Sequence, residues 1–143
     1  MIRGGRTAPG QAVPVRGDEG ATDLTAYASM LEAADGDGLV LSVSGEIDMV
    51  TATDFEQDLE HVLAAAAGDV VVDLSQLDFI DSAGLGVLMT ALRRLQEQDR
   101  RFALVILQRR VMRTFIVTGL ELAVPIADSR EAAWARLAGS GHT

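Results

Sequence analysis

Apolar positions change their period several times along the chain, and each change marks an element. Leu39, Leu41 and Val43 alternate with Val40, Ser42 and Ser44, the pattern of a half-buried strand. The preceding Leu24–Glu32 is predicted to pair with it antiparallel, since Asp35-Gly36-Asp37-Gly38 supplies the positive backbone angles of a hairpin turn. From about Thr51 to Ala67 the period becomes helical. Phe55, Leu59, Val62, Leu63 and Ala66 share one stripe, while Asp54, Glu56, Asp58 and Glu60 fall largely elsewhere. Thr51 and Asp54 resemble the opening of a capping arrangement, and Gly68 ends the helix.

Val70–Leu74 reads as a strand, and its Val70-Val71-Val72 is a continuous β-branched run, as expected of a central strand. A second helix, Ser82–Gln98, places Leu85, Leu88, Leu92 and Leu95 on a core stripe with Arg93, Arg94 and Gln96 outward. Phe102–Leu107 reads as a buried strand. Arg109–Thr118 reads as a short helix with Val111, Met112, Phe115 and Ile116 inward and Gly119 as terminator. Leu122–Ala127 is a last strand, placed at an edge because Pro125 cannot donate to a ladder. Asp128 or Ser129 caps a final helix carrying Trp134 and Leu137.

A hairpin followed by repeated helix–strand alternation predicts a single α/β domain. Its sheet is mixed and mostly parallel, with about five strands covered by about four helices. The domain is expected over 24–138. Met1–Asp23, rich in Gly, Arg and Pro without apolar periodicity, reads as a flexible N-terminal tail, and 139–143 as a flexible C-terminal one.

Composition narrows the class. The 143 residues are 48% apolar, enough for one sizeable core, and no window approaches the roughly 20 apolar residues of a membrane span. The N-terminal segment lacks an apolar h-region, so it is not expected to be a secretory signal. With no Cys there are no disulfides or thiolate metal sites, which fits a cytoplasmic protein. A net charge of −9 argues against direct nucleic-acid binding. Sixteen acidic residues and no Arg lie between Asp18 and Asp81, whereas seven Arg crowd into Arg93–Arg113. That distribution suits a dipolar protein steered toward a charged partner.

The junction Leu77-Asp78-Phe79-Ile80-Asp81-Ser82-Ala83-Gly84-Leu85-Gly86 concentrates the candidate chemistry. It sets a hydroxyl at a helix N-terminus, with a carboxylate before it and two glycines after it. Such a hydroxyl can cap the helix, bind an anion or accept a phosphoryl group. Leu77, Phe79 and Ile80 anchor the segment in the core and fix where the hydroxyl sits. Each Gly costs a helix about 1 kcal/mol relative to Ala, so Gly84 and Gly86 require a reason. Close approach of a partner's backbone is one, and tight packing onto the sheet is the other. A phosphoryl group adds about −1.5 to −2 charges, which a helix N-terminus tolerates. Phosphorylation of Ser82 is therefore the favoured reading.

Other chemistries fit less well. Asp73 ends a strand as a receiver-domain acceptor would, but that chemistry needs an acidic metal cluster and a Lys, and this chain has no Lys. Gly84-Leu85-Gly86 is only part of a dinucleotide fingerprint. The histidines, His61 and His142, do not combine with Ser82 into a nucleophile-elbow pattern. Trp134 and the methionines read as core. No cofactor, metal or catalytic residue is expected, and an enzyme is the least favoured reading.

Val43-Ser44-Gly45-Glu46-Ile47-Asp48, Val71-Val72-Asp73-Leu74 and Phe79-Ile80-Asp81-Ser82-Ala83-Gly84-Leu85-Gly86-Val87-Leu88 together resemble the signature of bacterial anti-sigma factor antagonists, the STAS domain. Thr118-Gly119-Leu120 and Asp128–Ala133 match as well, so the resemblance spans about Leu24–Leu137. It implies that Ser82 is phosphorylated by an anti-sigma factor serine kinase. The unphosphorylated protein binds that kinase and frees a sigma factor, and a PP2C-type phosphatase resets the cycle. It further implies that Glu46, Asp48, Asp81, Ser82, Ala83, Gly84, Leu85 and Gly86 face the partner. Ala83 departs from the many relatives with a second Ser or Thr there, which leaves a single hydroxyl to modify. Some STAS domains are not phosphorylated and act as scaffolds or small-ligand sensors in larger assemblies. That is the alternative reading.

Overall fold

The computed structural model describes residues 12–16, 26–34, 36–65 and 68–140. The elements follow in the order β1 (Ala12–Arg16), β2 (Ala28–Ala33), β3 (Leu39–Ile47), α1 (Ala52–Ala64), β4 (Val70–Ile80), α2 (Ser82–Glu97), β5 (Phe102–Val105), α3 (Arg109–Thr118), β6 (Ile126–Ala127) and α4 (Arg130–Ser140), with a 3-10 turn at Leu120–Leu122 before β6. They form the expected α/β sheet. The strands lie side by side in chain order, antiparallel from β1 to β3 and parallel from β3 to β6.

One strand exceeds the sequence reading. Ala12–Arg16, assigned there to a flexible tail, pairs antiparallel with β2 and adds a sixth strand at the edge. The rest of that tail, the first residues of the expected Leu24–Glu32 strand, Asp35, Ala66, Ala67 and residues 141–143 lie outside the described residues.

Helices α1, α2 and α3 cover one face. There Phe55, Leu59 and Val62 meet Leu85, Leu88 and Leu92, with Val111 and Phe115 beside them, over the inward residues of β2–β5. Helix α4 covers part of the other face, where Ala133 and Leu137 pack on Val40, Val71, Ala103 and Val105. Two further expectations change here. Ile116 is 50% exposed rather than inward. Asp58, placed with the outward acids of α1, is buried and accepts hydrogen bonds from Tyr27 (2.5 Å) and Ser29 (2.7 Å) of the β2 region.

Strand β4 runs six residues past the Leu74 at which its regular apolar run stops. Ser42 and Ser44 of β3 pair with Asp73 and Gln76, and Gly45 and Glu46 with Leu77 and Phe79. Each step inserts one extra residue in β4, a β-bulge that resets which face the next side chain meets. The resets turn both Leu77 and Ile80 into the core although they are three residues apart, whereas Phe79, expected to anchor there with them, is only half-buried. Gly45, opposite the second bulge, has φ +91°, a conformation that side chains rarely adopt.

Two arginines tie the layers. Arg100, buried, donates to the carbonyls of Val62, Leu63 and Gly68 and to the Gln98 side chain, closing the C-terminal end of α1. Arg130 pairs with Asp73 at 2.6 Å and with Glu32, joining the start of α4 to β4 and β2. Asp73 is thus a structural ion-pair partner, and its other carboxylate oxygen accepts from the Ser75 N–H. Pro125 offers its carbonyl to Leu104 beside β6, which is a sheet edge as expected but only two residues long. Ser129 rather than Asp128 caps α4, accepting from the Ala132 N–H at 3.0 Å.

Candidate functional site

Parallel strands β3 and β4 end side by side, Ile47 opposite Ile80, and deliver two loops to one edge of the sheet. The Asp81 N–H donates to the Ile47 carbonyl at 3.0 Å, so the two loops are stitched together where they leave the sheet.

The first loop is shaped by Asp48. Its Oδ1 accepts from the Val50 N–H (2.9 Å), the Thr51 N–H (3.0 Å) and lies 3.2 Å from the Thr51 hydroxyl. Thr51 does not cap α1 with its side chain. Its hydroxyl turns back to the Glu46 carbonyl at 2.9 Å and accepts from the Asp48 N–H at 2.9 Å. The expected capping arrangement is therefore replaced by a closed turn. Donation by the Thr51 N–H outweighs partial desolvation and, with the Val50 N–H, holds the Asp48 carboxyl below the ordinary value of 3.8.

The second loop resolves which side chain caps α2. Asp81 is extended, and its carboxylate accepts from the Gly84 N–H at 3.1 Å, so Asp81 is the N-cap. Ser82 is the first helical residue. It is exposed, and its hydroxyl makes no hydrogen bond among the described residues. The fold does not occupy this oxygen.

The glycines divide the two explanations between them. A Cβ on Gly84 would stand 2.6 Å from Ile47 Cγ2 and 2.8 Å from Ile80 Cγ1, so this glycine lets α2 sit close on the sheet. A Cβ on Gly86 would meet nothing within 4 Å. Of the eight residues singled out from the sequence, Gly84 and Leu85 are buried and shape the site from beneath. Glu46, Asp48, Asp81 and Ala83 are half-buried, and Ser82 and Gly86 are exposed. From Ser82 a cleft of about 260 Å³ runs between α1 and α2, lined by Glu56, Glu60, Gly86 and Thr90 among others. Arg94 also lines it, paired with Glu60 at 2.6 Å.

The sequence reading placed Met49 with the core methionines and passed over Val50, and the structure puts both on the surface of the first loop. Met49 and Val50 are 77% and 83% exposed, directly after Asp48. Their only sequence signal is that they are large apolar residues in a turn, in step with no helix or strand. Two adjacent large exposed apolar side chains suit contact with another protein. His61 is exposed in the last turn of α1, whereas Ser82 opens α2. No helix among the described residues is long and apolar enough to cross a membrane.

The fold is similar to that of known proteins. The family model described as "Mlab, STAS domain" matches residues 30–125. The anti-sigma-B factor antagonist of Staphylococcus epidermidis is 29% identical over 91 residues, 64% of this chain and 84% of that protein. BtrV of Bordetella bronchiseptica is 32% identical over 98 residues, 68% of this chain and 84% of that protein. The crystal structure of an anti-sigma factor antagonist from Mycobacterium paratuberculosis superposes with a TM-score of 0.72 at 32% identity, covering 81% of this chain and 97% of that one.

Proposed function

The chain belongs to the STAS-domain family, and we propose from that premise that it is an anti-sigma factor antagonist switched by phosphorylation of Ser82. In this reading the unphosphorylated protein binds an anti-sigma factor serine kinase in the cytoplasm through the Asp48 loop and the start of α2, and so frees a sigma factor. The kinase then phosphorylates Ser82, and a PP2C-type phosphatase reverses the modification. The protein itself catalyses nothing.

The single observation that carries this reading is the division of labour at the start of α2. Asp81 caps the helix, which leaves the Ser82 hydroxyl exposed and without structural duty. A phosphate at that position gains from the helix dipole, so the fold tolerates it. A partner packed over Gly86, Met49 and Val50 does not, because it would enclose a new dianion close to Asp81. A penalty of about 3–4 kcal/mol there weakens binding roughly a hundred- to a thousandfold.

Incubation with the cognate kinase and ATP, followed by intact-mass and peptide analysis, should show one phosphate that is absent from Ser82→Ala. Ser82→Asp should lose kinase binding while its melting curve stays within about 2 °C of wild type, the shift of less than 1 kcal/mol. Phosphate on another residue, or binding indifferent to Ser82→Asp, would refute the switch and favour a scaffold that is not phosphorylated.

A further inference from the structure

Three arginines of the fold pair with carboxylates. Arg94 pairs with Glu60, Arg101 with Asp69, and Arg130 with Asp73 and Glu32. Arg109, Arg110 and Arg113 of α3 are exposed and have no ion pair among the described residues. With Phe79 and Thr114 they line one open cleft of about 490 Å³.

Their position is costly for the helix. Arg109 and Arg110 open α3, whose first turn holds no acidic residue, and cations are disfavoured at a helix N-terminus. No contact among the described residues offsets this with a carboxylate. The Arg110 guanidinium lies over the Phe79 ring, 5.9 Å from its centroid, which limits the freedom of that side chain before any ligand arrives. Phe79 is the second residue before Asp81 on β4, and Leu107, 56% exposed, leads into α3 at the same edge of the sheet. Phe79 thus ties the cleft to the strand that leads into Ser82, and the cleft is positively charged. Glu56 and the Arg94–Glu60 pair line the Ser82 cleft, with Asp48 and Asp81 on the two loops at that sheet edge, and three arginines without a carboxylate partner line the other.

We propose that the Phe79–Arg109–Arg110–Arg113 cleft is the docking site for an acidic segment of the protein partner that covers Ser82. The inference rests on the function proposed above and deepens it. Guanidinium groups bind carboxylates through paired, charge-assisted hydrogen bonds, and a fixed guanidinium loses less entropy in doing so. In a chain of net charge −9, three neighbouring arginines without a carboxylate partner attract an acidic segment. The two clefts together orient the partner, its acidic part on α3 and its less acidic part on Ser82. Phosphorylation then acts on one cleft alone.

Two measurements test this. A deca-glutamate peptide titrated into the full chain should shift the amide resonances of Phe79 and Arg109–Thr114, and these shifts should vanish in R109Q/R110Q/R113Q. Shifts that are absent, scattered or unchanged in the variant overturn the proposal, as does an equal response to inorganic phosphate at matched charge. In binding to the anti-sigma kinase, the triple Gln variant should associate about tenfold more slowly at low salt and lose most of its salt dependence. If Ser82→Asp abolishes binding while the triple variant matches wild type, this inference fails and the switch survives. If wild type binds no anti-sigma kinase, the proposed function fails, and the peptide titration still decides whether the cleft takes an acidic segment.

Discussion

Alanine at each of the two glycines of α2 should move stability in opposite directions, although the positions are two residues apart. At Gly84 the new methyl would lie 2.6 Å from Ile47 Cγ2 and 2.8 Å from Ile80 Cγ1. Both isoleucines are essentially inaccessible and belong to the paired strand ends, so neither can swing away without moving the sheet edge. Overpacking of this kind costs about 1–3 kcal/mol, against a helix-propensity gain of at most about 1 kcal/mol. The net is a loss of about 1 kcal/mol or more. At Gly86 there is open space, so only the propensity gain remains and the variant should be up to about 1 kcal/mol more stable. At roughly 3 °C per kcal/mol for a chain of this size, the two variants should melt about 6 °C apart, one on each side of wild type. Thermal and urea denaturation of the purified variants measure this directly. If both substitutions stabilise, or both destabilise, the assignment of one glycine to packing and the other to an open surface is wrong. The same pair probes the interface: Gly86→Ala should bind the anti-sigma kinase more weakly despite its greater stability.

Three further outcomes follow from particular contacts. Asp81→Ala should cost about 1 kcal/mol as a lost N-cap, while Ser82→Ala should cost less than about 0.5 kcal/mol, and an inverted order in urea unfolding would show that Ser82 caps α2 after all. The Asp48 carboxyl is held below its unfolded value, so its contribution is present above about pH 4 and lost as pH falls through the lower folded value. Wild type should therefore lose more stability than Asp48→Asn between about pH 4 and pH 2, and parallel pH profiles would refute the turn as the cause. Arg100→Lys keeps a positive charge but cannot reach the carbonyls of Val62, Leu63 and Gly68 together, and should destabilise by about 2 kcal/mol in thermal unfolding. A neutral result would show that charge alone suffices there.

The order of strands and helices is legible in the sequence because it depends on local period. The α2 stripe of Leu85, Leu88, Leu92 and Leu95 is as buried as its spacing demands, and α3 begins and ends where its apolar residues and Gly119 indicate. Gly119 is left-handed with φ +79°, a local requirement that a local residue meets. The α2 junction is legible for the same reason: Asp, Ser and two Gly beside an apolar run announce a helix start with a hydroxyl at its N-terminus, though not whether that hydroxyl is free.

What tertiary structure decided depends on partners far away in the chain. Period alone could not extend β4 beyond Leu74, since the bulges that bring Leu77 and Ile80 inward exist only against β3. It could not bury Asp58, whose hydroxyl donors lie 31 and 29 residues earlier. Asp81 and Ser82 are both good cap residues. The bond from the Asp81 N–H to the Ile47 carbonyl sets Asp81 at the sheet edge, where its backbone is extended and its side chain caps. Nor could spacing separate Gly84 from Gly86, because the isoleucines that crowd one and spare the other come from two neighbouring strands. Sequence pattern fixes what each segment tends to become, while burial, capping and exposure at this site follow from which segments the folded sheet brings side by side.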